Sequence, residues 1–289
     1  MLWKKLQRDK ARIGNANDGE DGDMTFLEHI EVLRWHVVRS AIAVVVGAIV
    51  AFILRDVLFS KVIFAPSSPD FITNRMFGYL AEVTGNEYLR INTEQVKFNS
   101  LAMSGQFMTH VTVSLIAGFV VALPYVVYEV WRFLKPALHE NELKYASSAV
   151  FFTSILFFMG VLFAYFVILP LSIDFLVSYT LSEEMVKNTI DIKSYISTMT
   201  TLCVAGGVSF LLPIFVYFFT KVGLVTPTFL RKYRRHAIVV LLIVSAIITP
   251  PDLWSQLLVC IPLMILYEIS IFISKGIVRK QELNADEQA

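Results

Sequence analysis

Charged residues are scarce in this chain. Asp, Glu, Lys and Arg make up 17% of its 289 residues, whereas roughly a quarter of a soluble domain is charged. Apolar residues make up 56% of the chain, and they come in long blocks with the charges gathered between them. This distribution is not that of a soluble domain, and it indicates a helical protein of the lipid bilayer.

Cysteine is also scarce. The only two cysteines, Cys203 and Cys260, lie inside apolar blocks and belong to no CxxC or Cys/His pattern. This excludes a disulfide framework, and it argues against a zinc or redox site. We expect both thiols to behave as small buried hydrophobic groups.

Catalytic motifs are missing as well. The sequence contains no GxxxxGK phosphate loop, no HExxH motif and no GxSxG motif, and its five histidines show no metal-ligand spacing. We therefore expect neither enzymatic activity nor a metal or cofactor. His110, near the outer end of an apolar block, is expected to make a polar contact at the membrane interface.

The apolar blocks predict six membrane-spanning helices. A helix needs about 20 mostly apolar residues to cross a bilayer. Four blocks reach this length, and two shorter ones follow, separated by Thr249-Pro250-Pro251-Asp252. The predicted spans are residues 37–54, 107–128, 147–169, 196–220, 237–248 and 257–273. The predicted fold is therefore all-α and polytopic, with a short fifth and a short sixth helix.

One membrane domain, residues 24–273, contains all six spans. Residues 1–23 are polar and partly acidic and Gly-rich, and we predict that they are disordered and cytoplasmic. No cleavable signal peptide is predicted, because the first thirty residues lack an apolar core. Residues 55–106 form a long periplasmic loop of undetermined fold, and residues 274–289 form a cytoplasmic tail.

Two helix features follow from local patterns. Phe26, Ile30, Leu33 and Val37 recur at helical intervals, which predicts an interfacial helix that runs into the first span. Three prolines lie within apolar blocks and are predicted to kink their helices: Pro124, Pro213 and Pro262.

The positions of Lys and Arg predict the orientation. Of the 25 basic residues, 18 fall in four segments on one side of the predicted spans, with the densest cluster at residues 231–235. Basic residues favour the cytoplasmic side, so we predict that both ends of the chain are cytoplasmic. No charged residue is placed at mid-depth of a span and no inverted repeat is visible, which disfavours an ion-coupled transporter.

Several motifs follow in order along the predicted spans. They are Leu27-Glu28-His29-Ile30-Glu31-Val32-Leu33-Arg34, Tyr128-Glu129-Val130-Trp131-Arg132-Phe133, His139-Glu140-Asn141-Glu142, Gly223-Leu224-Val225-Thr226-Pro227 and Leu253-Trp254-Ser255-Gln256. In this order and topology the chain resembles the TatC family, the core subunits of the twin-arginine protein translocase. The resemblance implies a receptor in the bacterial cytoplasmic membrane that exports folded proteins bearing Arg-Arg signal peptides and uses the proton motive force.

The resemblance also implies the residues that bind the arginine pair. Glu142 matches a loop glutamate that holds the arginines, and Phe133 matches a nearby residue needed for recognition. A guanidinium pairs with a carboxylate through two parallel hydrogen bonds, which an ammonium cannot copy. The alternative interpretation of Glu142 is a solvated loop carboxylate.

The first motif departs from the family pattern. Val32 stands where the family usually has Glu, and Glu31 stands one residue earlier, about 100° around a helix. Glu28 is therefore a rival of Glu31 for the second carboxylate. Arg34 belongs to the same motif and is grouped with the signal-binding residues, although it is equally explained as a topology determinant facing anionic lipid.

A second set of residues is implied to serve partner assembly. Asp252 and Gln256 match family residues at the outer turn, although Asp252 is equally explained as a helix N-cap. Leu211 replaces a buried family Glu, so roles carried by that acid are not expected here, and Thr201 is a neutral polar substitute contact. The implied partners are TatA/TatB-type single-span subunits, further copies of the chain and membrane lipid, with no nucleic acid.

Two rival functions remain besides a transporter. A scaffold or assembly factor would bind partners without regard to an Arg-Arg pair in a signal. An intramembrane enzyme would need a nucleophile and a base, and the sequence offers no such pair.

Overall fold

The chain folds almost entirely into helices. A computed structural model describes residues 26–134, 146–179, 189–249 and 253–286. The α-helices of the described part are α1 (Phe26–Ile53), α2 (Arg55–Val57), α3 (Ile72–Thr84), α4 (Gly105–Leu134), α5 (Ala146–Phe163), α6 (Leu169–Ser178), α7 (Ile192–Ser209), α8 (Leu212–Lys221), α9 (Pro227–Lys232), α10 (Arg234–Ile248) and α11 (Leu253–Asp286). Two-residue strands, β1 (Phe98–Asn99) and β2 (Ile190–Asp191), pair in parallel.

Five helical segments of the described part are long and apolar enough to cross a membrane. They are Ile30–Ile53, Gly105–Phe133, Val150–Ser178, Ile192–Lys221 and Ser255–Leu283. The prediction of a polytopic, all-helical membrane protein is therefore confirmed. The helical turns predicted before the first span are also found, because α1 begins at Phe26 and continues without a break to Ile53.

The last two helices differ from each other in length. The predicted fifth span corresponds to α10, whose 15 residues reach only about 22 Å. The prediction of a short sixth helix is wrong, because α11 has 34 residues and continues through Asp286. Hydropathy detects only the apolar part of a helix. The Lys, Arg, Gln and Glu residues beyond residue 273 are good helix formers in water, so the helix continues past the predicted span.

Only one of the three prolines coincides with a break. The helical segment after β2 is interrupted at Phe210 and Leu211, and Pro213 lies in the first turn of α8. By contrast, α4 continues through Pro124 and α11 through Pro262.

The first two long helices form an antiparallel pair in close contact. A Cβ atom added at Gly118 of α4 would lie 2.3 Å from the backbone nitrogen of Ala48 in α1. Small residues let membrane helices approach this closely. A second close crossing joins α5 to α7, where a Cβ at Gly160 would lie 2.6 Å from the carbonyl oxygen of Gly206.

The long loop after α1 covers one end of the helices, which we call the loop end. Its fold, which the sequence left undetermined, depends on distant anchors. Tyr195 donates a hydrogen bond to the carbonyl of Ile63 at 2.6 Å, and the backbone N–H of Asn92 donates to Asp174 at 2.8 Å. These contacts place the start of α7 and part of α6 at the loop end, and α4 begins where the long loop ends.

The opposite end carries clustered Lys and Arg residues, and we call it the basic end. Thr220 near the end of α8 donates a hydrogen bond to Ser274 of α11 at 2.9 Å. Trp131 near the end of α4 lies against Phe218 of α8, with ring centroids 4.7 Å apart. The ends of α4 and α8 and the later part of α11 therefore lie together.

The packed interior lies where α5, α6, α7 and α11 meet. Leu202 is fully buried there, and Leu263 is 1% exposed. Cys203 and Cys260 are both free and buried, which confirms that they act as small hydrophobic groups.

Candidate functional site

A buried acid–base pair joins α1 to α4 near the basic end. The imidazole Nδ1 of His36 lies 2.5 Å from a carboxylate oxygen of Glu129. Glu129 is only 1% exposed and His36 is 8% exposed. Tyr125 and Arg39 are close enough to interact with the same carboxylate. The carboxylate is therefore removed from solvent and surrounded by groups that compensate its charge.

Sequence reasoning missed this pair. The predicted second span ended at Tyr128, which placed Glu129 just outside it, whereas α4 continues to Leu134. His36 was considered only as a metal ligand. The available signal was weak, namely a lone His and a lone Glu at the edges of two apolar blocks, 93 residues apart.

Phe133, a predicted recognition residue, lies directly beside the pair. Its ring meets the His36 imidazole edge-on, with centroids 6.0 Å apart and an interplanar angle of 62°. The side chain is half-buried, one helical turn beyond Glu129. The segment 135–145 begins two residues after Phe133. It contains Glu142 and lies outside the described residues.

The first-motif residues lie on the early turns of α1. Glu31 and Arg34 are both exposed, and the Arg34 guanidinium lies 5.6 Å from the centroid of the Trp35 ring. The helix backbone is described at Glu28, but its side chain lies outside the described residues. Since His36 follows on the same helix, the structure brings the first motif and Phe133 to the same end of the α1–α4 pair.

Further cations surround the basic end. Arg231 and Lys232 lie in the last turn of α9, and Arg234 opens α10 and forms an ion pair with Glu268 of α11. Tyr267 of α11 donates a hydrogen bond to the carbonyl of Leu230 at 2.9 Å. The end that holds the first motif is therefore also rich in basic residues.

The residues predicted for partner assembly are not brought together. Gln256 is half-buried, and its side-chain amide donates to the carbonyl of Leu242 at 3.3 Å, which ties α11 to α10. Thr201 is exposed on α7, whereas Leu211 is half-buried at the break before α8, about 15 Å further along the helical path. Thr201 and Leu211 therefore occupy separate positions along this helical path. Asp252 lies outside the described residues.

His110 makes a polar contact, as predicted. Its ring stacks on Phe52 with centroids 3.9 Å apart, and Nε2 lies 3.2 Å from the carbonyl oxygen of Phe52. This contact joins α1 to α4 at the loop end, just as His36 and Glu129 join them at the basic end.

Comparisons with known proteins identify the family. The family model described as Sec-independent protein translocase protein (TatC) matches residues 28–262. The TatC protein of Blattabacterium sp. subsp. Periplaneta americana (strain BPLAN) is 38% identical over 264 residues, which covers 91% of this chain and 99% of the relative. The TatC protein of Aquifex aeolicus (strain VF5) is 33% identical over 259 residues, covering 90% and 98%.

A solved structure agrees with these relatives. A crystal structure described as the twin arginine translocase receptor TatC aligns with 31% identity and a TM-score of 0.62, and the alignment covers 87% of this chain and 100% of that one. The similarity therefore extends over nearly the whole membrane region in both sequence and fold. The chain belongs to the TatC family of Sec-independent protein translocase proteins.

Proposed function

We propose that this chain is the receptor for twin-arginine signal peptides in a Sec-independent translocase. The observation that carries the proposal is the alignment with a solved twin arginine translocase receptor, which covers 87% of this chain and 100% of that one. The role is export of folded proteins, with energy from the proton motive force. The basic end of the molecule is the face at which the signal is first bound.

Two carboxylates form the proposed site for the arginine pair. Glu142 supplies one from the segment that follows α4, close in sequence to Phe133. The other comes from the first turns of α1, which α4 holds alongside Phe133 through His36. Arg34 lies on the same turns and assists by binding anionic lipid.

Helix geometry favours Glu28 over Glu31 as the second carboxylate. At about 100° per residue, Glu28 lies roughly 80° from His36 around α1, whereas Glu31 lies roughly 140° away. His36 marks the face of α1 that meets α4. The backbone position of Glu28 is therefore nearer to that face, and Glu31 is directed away from it, in agreement with its exposure.

Photocrosslinking in membranes tests the site. A twin-arginine signal peptide carrying a photoreactive group beside the arginines is compared with its Lys-Lys counterpart on the wild-type chain. The variants are Glu142→Gln and Glu28→Gln. Glu140→Gln and Glu31→Gln are matched controls, because they remove the same charge from the same segments.

The proposal expects crosslinking of the Arg-Arg peptide alone, lost in both site variants and retained in both controls. Loss in Glu31→Gln with retention in Glu28→Gln would reverse the choice between the two glutamates. Equal crosslinking of Arg-Arg and Lys-Lys peptides would contradict the receptor function and favour a scaffold.

The proposed topology has six crossings with both ends in the cytoplasm. Support comes from the direction of α10. Its first residue, Arg234, pairs with Glu268 at the basic end, and the next helix begins near the loop end, where Ser255 lies 2.8 Å from Ser172. Although α10 is short, it therefore runs from one end towards the other, and α11 returns.

Labelling of engineered cysteines tests this topology. Cysteines placed singly near residue 20 and near residue 287 are treated with a membrane-impermeant thiol reagent in intact bacterial cells. Six crossings predict that neither position is labelled until the cytoplasmic membrane is opened. Labelling of only one of them in intact cells would leave five crossings. The same experiment places the chain in that membrane.

Single-span subunits of the TatA/TatB type and further copies of the chain are the proposed membrane partners. Thr201 supports a lateral contact on α7, because it is a polar side chain exposed on a membrane-compatible helix. A photoreactive residue at position 201 is expected to crosslink to a helper subunit, whereas one at Leu162, which is also exposed and lies on α5, serves as the control. Equal yields from both positions would refute a contact centred on α7.

A further inference from the structure

The link between His36 and Glu129 occupies a particular place in the molecule. It joins the only two described helices whose ends carry proposed recognition residues, α1 with the first motif and α4 with Phe133. Both residues are more than nine-tenths buried. Neither belongs to the proposed arginine site, since the Glu129 carboxylate is already engaged by the imidazole.

Such a pair is a costly way to hold two helices together. Taking a carboxylate and an imidazole out of water carries a desolvation penalty that their attraction often fails to repay, and apolar side chains of similar volume frequently stabilise a site as well or better. The glycine contact at Gly118 already brings α1 against α4 without polar groups. The main effect of the pair is therefore to fix the relative rotation and register of α1 and α4, because a hydrogen bond is directional. Apolar contacts alone would allow the two helices to slide against each other.

The geometry that it fixes includes a recognition residue. Phe133 contacts the His36 ring edge-on, and Glu129 lies one turn earlier on the same helix. A shift of the imidazole would therefore move the surface against which Phe133 rests. The chain continues directly from Phe133 into the segment that carries Glu142.

We infer that His36 and Glu129 are positioning residues for signal-peptide recognition. They hold the end of α4, and with it Phe133, in one register against the first turns of α1. This inference rests on the proposed receptor function. It assigns the pair no direct contact with the signal peptide.

Peptide affinity measured on the full-length chain in lipid nanodiscs tests the inference. A fluorescent Arg-Arg signal peptide and its Lys-Lys counterpart are titrated against wild type, His36→Leu and Glu129→Leu. Each apolar variant is expected to weaken Arg-Arg binding by about tenfold, which corresponds to about 1.4 kcal/mol, and to leave the weak Lys-Lys binding unchanged. The measured change is therefore a loss of selectivity.

Two conservative variants separate position from charge. Asn at position 36 places an amide donor near the former Nδ1, and Gln at position 129 keeps an acceptor oxygen at nearly the same volume. His36→Asn and Glu129→Gln are expected to retain Arg-Arg affinity within about threefold of wild type. If Glu129→Gln loses as much affinity as Glu129→Leu, the charge itself is required and the positioning role is wrong.

His110→Ala is the matched structural control. It removes the contact between the same two helices at the loop end, so it lowers stability without disturbing the basic end. Thermal unfolding is measured for every variant. If His36→Leu and His110→Ala reduce stability and affinity in the same proportion, the pair has only a structural role and the inference fails.

A double substitution gives the last readout. If the pair acts through Phe133, then Phe133→Ala costs less affinity in the His36→Leu background than in wild type, because contacting residues that share one role are not additive. Additive losses would overturn the inference. A wild-type chain with equal affinity for both peptides would instead refute the proposed function on which the inference rests.

Discussion

Replacing Gly118 with alanine tests how the first helix is held in place. The added Cβ would lie 2.3 Å from the backbone nitrogen of Ala48 and 2.8 Å from the carbonyl carbon of Gly47. Ordinary van der Waals contact begins at 3.4 Å, so the shortfall is about 1 Å. Because the opposing atoms are backbone, no side-chain rotation relieves the overlap, and α1 has to move away from α4.

The cost of that movement follows from the packing of α1. None of the residues in its most apolar 18-residue stretch is buried, so α1 depends chiefly on its contact with α4. Overpacking of a tight contact typically costs about 1–3 kcal/mol. We expect the free energy of unfolding to fall by this amount, with the loss partly relieved by separation of the two helices.

Equilibrium unfolding in mixed detergent–SDS micelles, followed by circular dichroism, measures this change. Gly276→Ala is the control, because position 276 also lies within a helix and an added Cβ would meet nothing within 4 Å. The control is expected to match wild type or to gain up to about 1 kcal/mol. A Gly118→Ala variant as stable as wild type would refute the close packing of α1 on α4.

Three further substitutions test other contacts. Asn92→Ala is expected to expose the long loop to proteolysis more than Asn92→Gly does. Both variants lose the side-chain hydrogen bonds to Asn74 and Pro170, but only alanine is strained at the positive φ of 47° from which the backbone N–H binds Asp174; equal cleavage of both would contradict this. Tyr195→Phe removes a buried hydroxyl bound to a loop carbonyl and is expected to lower the unfolding free energy by about 1–3 kcal/mol, measured in SDS. Arg234→Gln is expected to lower the unfolding free energy by less than about 1 kcal/mol, because the side chains of Arg234 and Glu268, which form the ion pair, are 57% and 35% exposed. A larger loss in the same assay would contradict this.

Composition and hydropathy predicted the broad fold because bilayer spans obey a simple length rule. Charge-poor apolar blocks predicted a polytopic helical protein, and the described helices confirm it. The predicted ends of the spans were less accurate. Hydropathy shows which residues are apolar enough for the bilayer, but it does not show where the backbone hydrogen bonds of a helix end. The long continuation of α11 and the extension of α4 beyond Tyr128 are both of this kind.

The covering of the loop end could not have been predicted. Residues 55–106 contain no pattern that specifies their fold, and their position depends on side chains more than 80 residues away, such as Asp174 and Tyr195. Contacts at this separation leave no local periodicity. They become visible only when α6 and α7 are placed beside the loop.

The family and its non-enzymatic role were predicted from motifs spread over the chain, and the family match confirms both. The site itself was only partly accessible to this reasoning. Phe133 was identified through its motif, but its neighbour His36 comes from another helix, and the buried state of Glu129 depends on the pairing of α1 with α4. Sequence motifs do not reveal residues whose role depends on contact with a residue distant in the sequence.

As the proposed receptor, the chain selects signal peptides by their arginine pair. The most direct test is competition at equilibrium, in which a fluorescent Arg-Arg signal peptide bound to the purified wild-type chain in nanodiscs is displaced by unlabelled peptides. Losing bidentate, charge-assisted hydrogen bonds costs about 1.5–3 kcal/mol, so the Lys-Lys peptide is expected to displace the probe at least about tenfold less effectively than the Arg-Arg peptide. Displacement at equal concentrations of the two peptides would contradict the account.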